Sequence, residues 1–126
     1  MAKPRKYVNG LLIIEVLEED DHITAIWIGK SVEREPGKIL TPILVNLVRE
    51  CSEKDKRLIL DFRSLAYLNS STITPIIKIL ERAKRGSTKV TVIYDVTLKW
   101  QDLIFSALTI FKTKDDRVQL RGISSK

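Results

Sequence analysis

The sequence predicts a mixed α/β domain, an open sheet of four to five strands with three to four helices. Apolar runs too short for helices recur at residues 11–16, 23–28, 58–62 and 90–94, with a further short run at 118–120. Between the later runs lie stretches whose apolar residues fall at helical spacing. Only the first two runs are joined by a connector of hairpin length. The later strands therefore need crossovers, which call for parallel pairing with right-handed connections. The expected order is strand, strand, helix, strand, helix, strand, helix and a short final strand.

Taken in order, residues 1–9 read as a flexible basic arm, because Pro4 and the basic residues around it offer no core face. Residues 10–123 form a single domain. The acidic run at residues 18–21 is expected as a solvated turn between the first two strands, with His22 at its edge as a surface residue. Leu40, Ile43, Leu44, Leu47, Val48 and Cys51 hold helical spacing, and Pro42 suits an early helical turn. Cys51 falls on that apolar stripe and is expected as a buried thiol. As the only cysteine it excludes an internal disulfide. After the strand at 58–62 comes a connector, then the hydroxyl cluster Asn69, Ser70, Ser71, Thr72 and Thr74. Ile73, Ile76, Ile77, Leu80 and Ala83 then mark a second helix. Ser71 or Thr72 is its expected cap, Pro75 belongs to its first turn, and Gly86 follows its basic last turn. The third helix has the expected stripe Trp100, Leu103, Ile104, Ala107, Leu108 and Phe111. Phe105 and Ile110 lie off it, for a second layer or a partner surface. The strands at 58–60 and 90–93 are apolar on both faces, as in a sheet covered at least in its middle.

The charge of +6 and pI near 9.6 raise a nucleic-acid-binding module as an alternative. Much of the excess lies at the two ends, in Lys3, Arg5 and Lys6 and in Lys112, Lys114, Arg117, Arg121 and Lys126. No RNP-type aromatic motif, zinc-ligand set or recognition helix accompanies it, so a basic surface kept for solubility is the simpler reading. No apolar run reaches the roughly 20 residues of a membrane helix, and no signal peptide is evident, which makes the cytoplasm the default compartment. A glycine-rich phosphate loop, G-x-S-x-G, H-E-x-x-H and Cys-x-x-Cys are all missing. No catalytic residue, metal or cofactor is expected. Ser70 as a nucleophile would need a base, and His22 belongs to the far hairpin.

The connections after the third and fourth strands open at the carboxyl edge of a parallel sheet, where open α/β folds place their sites. Residues 69–74 and 95–100 should therefore be neighbours, joined by the segment after the second strand. The expected partner-binding residues are Asn69, Ser70, Ser71, Thr72, Thr74 and Trp100. Asp61, at the end of its strand, is either a further polar group of the site or a bond to loop backbone.

The element order, Leu58-Ile-Leu-Asp-Phe62 on the central strand and Tyr67-Leu-Asn-Ser-Ser71 before a helix resemble the STAS fold of bacterial anti-sigma factor antagonists. In that family the turn reads Asp-Ser-Ser/Thr-Gly. Its first hydroxyl is phosphorylated by a partner serine kinase and dephosphorylated by a PPM-type phosphatase, which switches partner binding. The resemblance implies Ser70 as phosphoacceptor, with Ser71 as the alternative. Asn69 stands where the family has aspartate, and Thr72 where it has glycine. An Asn-Ser/Thr-Ser turn is similar to that of SiaC-like regulatory phosphoproteins, which have a cognate kinase and phosphatase and feed into diguanylate cyclase signalling. The resemblance thus implies a kinase or anti-sigma-like regulator, a phosphatase and a cyclase as partners. Physically, a phosphate on Ser70 would add about two negative charges at a helix N-terminus, where dipole and free N–H groups receive it. A partner docked there would have to desolvate it. A structural adaptor that is never phosphorylated is the other alternative.

Overall fold

The computed structural model describes residues 4–124. Seven strands and three α-helices follow in the order β1 (Arg5–Asn9), β2 (Leu12–Glu18), β3 (His22–Ser31), α1 (Gly37–Lys54), β4 (Arg57–Asp61), β5 (Leu65–Leu68), α2 (Ser70–Arg85), β6 (Lys89–Asp95), α3 (Lys99–Ala107) and β7 (Val118–Ile123). A 3-10 turn, Leu108–Phe111, extends α3. All strands belong to one sheet in the order β1-β2-β3-β4-β6-β7. The first two pairings are antiparallel, and those of β3 with β4, β4 with β6 and β6 with β7 are parallel. The mixed α/β class expected from the sequence is the observed one.

Two strands exceed the expected number. Residues 5–9, read as part of a flexible arm, form β1 and pair with residues 12–16 of β2. Arg5, Tyr7 and Asn9 turn inward while Lys6 and Val8 face out. Arg5 is held by Glu50 of α1 through two bonds of 2.9 and 3.1 Å. The rest of the arm, residues 1–3, lies outside the described residues. β5 arises within the expected connector. β4 pairs with β3 as far as Ile26, the chain turns at residues 62–64, and β5 then pairs with β3 from Gly29 to Ser31. The two short strands occupy one edge of β3 in succession.

Along β1, β2 and most of β3 burial alternates. Leu12, Ile14 and Val16 of β2, Ile23, Ala25 and Trp27 of β3, Leu58 and Leu60 of β4, and Val90 and Val92 of β6 are buried with Leu40, Leu44 and Leu47 of α1 and Ile76, Ile79 and Leu80 of α2. Successive strand residues point to opposite faces, and each crossover advances along the sheet in the same direction. Right-handed connections then put all three helices on one face. Strands apolar on both sides predict a sheet covered at least in its middle. The cover is one-sided, and the alternate residues stay half-exposed.

α1 carries the expected stripe and ends where Asp55 adopts a left-handed conformation (φ 54°), with the Lys56 N–H donating to the Cys51 carbonyl at 2.8 Å. Cys51 is fully buried, and burial pushes its thiol pKa up to about 11. Glu18 of the acidic turn accepts from Lys54 and Lys56, both at 2.8 Å, and these bonds bring its carboxyl down to about 2.

α3 departs most from its expected packing. Its buried residues are Gln101 and Phe105, followed by Leu108 in the 3-10 turn, at i, i+4 and i+7. Leu103, placed on the stripe by its spacing, is 74% exposed, whereas Phe105, placed off it, is 0% exposed. Phe105 stacks on Phe62 and Tyr94 with ring centroids 4.7 and 5.5 Å away. Trp100, Ile104 and Phe111 pack against the core only in part. The cause is Gln101. Its side-chain amide donates to the Phe62 and Leu65 carbonyls at 2.7 and 3.0 Å, and its Oε1 accepts from the Asp95 N–H at 2.8 Å. A polar residue whose bonds are all met inside the protein can be buried, and it rotates the helix about its axis accordingly.

Candidate partner-docking site

The N-terminus of α2 is built on Asn69. Its backbone is extended (φ −84°, ψ 166°), and its Oδ1 accepts from the Thr72 N–H at 3.1 Å and the Thr72 hydroxyl at 2.7 Å. Asn69 is therefore the N-cap, the role expected of Ser71 or Thr72. Its Nδ2 donates to the Glu33 carbonyl at 2.9 Å, and its backbone N–H to the Ser31 carbonyl at 2.9 Å. The Thr72 hydroxyl also lies 2.6 Å from Ser31 Oγ. One amide thus ties the helix start to the end of β3 and to the loop after it. This gives a physical reason for both departures from the Asp-Ser-Ser/Thr-Gly pattern. Aspartate could cap but could not donate to Glu33, and glycine could not bridge Asn69 to Ser31. Asn69→Asp should keep the helix start yet cost about 1–2 kcal/mol, measured by urea denaturation at neutral pH.

The expected site residues then separate. Ser70 and Ser71, at the first two helical positions, are exposed, and neither hydroxyl makes a hydrogen bond among the described residues. Thr74 is exposed as well. Thr72 is 0% exposed and bonded inward, so it supports the turn and presents nothing to a partner. Trp100 is half-buried against the core. Pro75, expected in the first turn, sits a turn further on because the cap is Asn69; it is buried. Lacking an N–H, it leaves the Ser71 carbonyl without the usual i+4 donor.

The segment after β3 does join the turn, through Ser31 and Glu33. The start of α3 attaches one step upstream, where Gln101 grips the carbonyls of Phe62 and Leu65 at the turn into β5. Asp61 takes the loop role. Its Oδ1 accepts from the Arg63 N–H and Nε, both at 3.0 Å, and its Oδ2 from Nη2 at 2.8 Å. His22 lies at the opposite, amino edge, paired in register with Arg57, with Nδ1 2.6 Å from Asp21 Oδ1.

Exposed apolar residues lie on the elements that connect to this turn. Tyr67, 49% exposed, pairs in register with Lys30, whose N–H donates to the Leu11 carbonyl at 3.2 Å. Leu11 is 64% exposed and Val32, in the loop bound by Asn69, 40%. The β1–β2 turn, the end of β3, β5 and the start of α2 therefore form one continuous end of the molecule. Sequence reasoning missed Tyr67, Leu11 and Val32 as site residues. The signal for Leu11 was Gly10, whose φ of 64° opens the two-residue Gly10–Leu11 turn between Asn9 and Leu12; Tyr67 needed the second strand on the β3 edge. Among the described residues no group of three or more His, Cys, Asp or Glu side chains could hold a metal ion, and no helix is long and apolar enough to cross a membrane.

No family model matches the chain, and no curated protein matches it. Among solved structures it is similar to a chain in the crystal structure of the diguanylate cyclase SiaD in complex with its activator SiaC from Pseudomonas aeruginosa. The TM-score is 0.62 over 93% of this chain and 99% of that one, at 16% identity. At that identity the likeness is one of fold: the chain has a SiaC-like fold.

Proposed function

We propose that the protein is a cytoplasmic signalling regulator, without catalysis of its own, that binds a partner protein through the residue 69–71 turn. Phosphorylation of Ser70 by a cognate serine kinase releases the partner, and a PPM-type phosphatase restores binding. The carrying observation is the division of labour at the start of α2. Asn69 caps, Thr72 is locked inside, and Ser70 is left exposed with its hydroxyl unspent. A group added there meets the positive end of the helix dipole and outward N–H groups, so the domain tolerates it. A partner seated on Tyr67, Val32 and Leu11 would have to bury two negative charges. The fold likeness to SiaC, described as the activator of a diguanylate cyclase, favours a cyclase as the partner; an anti-sigma-like regulator is the second candidate.

The test is intact mass and peptide mapping of the protein from its own cells, followed by binding measurements on two variants. Ser70→Asp should lose partner binding by about 100-fold or more, the scale of a buried charge at an interface. Ser70→Ala should bind as the parent does, both with unchanged circular dichroism. Equal binding by the two variants would discard the switch.

A further inference from the structure

The face of the sheet opposite the helices is an unfilled layer. Val8, Ile13 and Ile28 stand side by side across β1, β2 and β3. In the next rows Ile26 and Ile93 flank Asp61, and Ile59 lies between Thr24 and Thr91. The isoleucines are half-exposed, whereas the strand neighbours Leu12, Ile14, Ala25, Trp27, Leu58, Leu60 and Val92 are buried under the helices. Nothing among the described residues covers them.

Five basic side chains stand around this centre. Lys6, Arg57, Lys89 and Arg121 point to this face by register, and Lys30 lies beside Tyr67 at its end. Lys6, Lys30 and Arg121 form no ion pair among the described residues. Arg57 donates to the Asp116 and Arg117 carbonyls and to Thr91, which leaves its charge unmatched. Lys89 meets only Asp55, an exposed carboxylate 3.4 Å away. On the acidic side, Asp61 is held by Arg63 and Asp95 is buried with bonds to Thr97. Glu15 faces out opposite Lys6 in register, and Asp21 and Asp55 line one recess with Arg57, Ile59 and Lys89.

We propose that this face docks an acidic amphipathic helix of a protein partner, on a surface separate from the Ser70 turn and independent of its modification. Parallel sheets commonly carry helices on both faces, and here the parallel strands β3, β4 and β6 carry them on one, with isoleucines half-exposed on the other. From β2 to β7 the sheet spans five strands, roughly 19 Å at the usual strand spacing, which a helix crosses in about 13 residues. An apolar stripe flanked by Asp and Glu meets both the isoleucines and the basic rim. A second copy set face to face would oppose like charges. Single-stranded nucleic acid would find aliphatic side chains where it needs an aromatic platform.

The experiment titrates the isotope-labelled full chain with a synthetic helix of about 16 residues, leucine along one stripe and glutamate beside it. The same helix with lysine for glutamate, and phosphatidylglycerol vesicles, run in parallel. Expected are amide shifts on β2, β3 and β4 around Ile13, Ile26 and Ile59 with the acidic helix only. Lys6→Glu combined with Arg121→Glu, a surface change that spares the core, should weaken binding at least about tenfold. Ile59→Thr should weaken it too, with folding checked by the unshifted helix amides. Absent binding, shifts confined to the start of α2, equal binding of the lysine helix, capture by the vesicles, or a dimer in sedimentation through this face would each overturn the proposal.

Discussion

Phe105→Ala should cost about 3–5 kcal/mol, the usual penalty for deleting a fully buried aromatic ring, while Leu103→Ala two residues away should change stability by no more than about 0.5 kcal/mol. Phe105 fills the space between Phe62, just past β4, and Tyr94 at the end of β6, so its loss leaves a cavity that two stacked rings cannot collapse. Leu103 projects into solvent. Paired chemical denaturation of the two variants measures both. A large loss for Leu103→Ala with a small one for Phe105→Ala would mean that α3 presents the face its hydropathy spacing suggests.

Gly29→Ala is the second large effect, expected at about 3 kcal/mol and a fall of roughly 10 °C in Tm. Gly29 has φ +93°, and a Cβ there would lie 2.2 Å from the Leu11 carbonyl oxygen. That oxygen accepts the Lys30 N–H and is main chain, so it cannot swing aside. The register of β3 against its neighbour shifts at this position, which lets one strand pair first with β4 and then with β5. A Tm within a degree or two of the parent would show that β3 can pass this point without a left-handed residue.

Much of this architecture is legible in the residues. The α1 stripe, the buried Cys51, the alternation of strands with helices and the hydroxyl turn before α2 all follow from local pattern and hold in the structure. What is not legible depends on partners distant in sequence. β1 needs β2 to complete it, and its one local signal is Gly10 in the two-residue turn between them. Gln101 looks like a surface residue until the carbonyls of Phe62 and Leu65 are set beside it, and with it goes the rotation of α3. The cap illustrates the same limit on a smaller scale. Four adjacent residues, Asn69 to Thr72, all have side chains able to cap. Asn69 takes the role because Glu33 and Ser31, more than 30 positions earlier, need its donors.

The succession of β4 and β5 along one edge of β3 has a thermodynamic consequence. β5 is four residues long and its sole strand neighbour is β3, so its separation from the sheet exposes few apolar groups compared with global unfolding. Such elements open in sub-global steps well below the full unfolding free energy. Ser70 and Ser71 therefore begin the helix that directly follows a short segment held by one strand neighbour. A modifying enzyme that needs an extended substrate could draw that segment out while the β2, β3, β4 and β6 ladders stay closed.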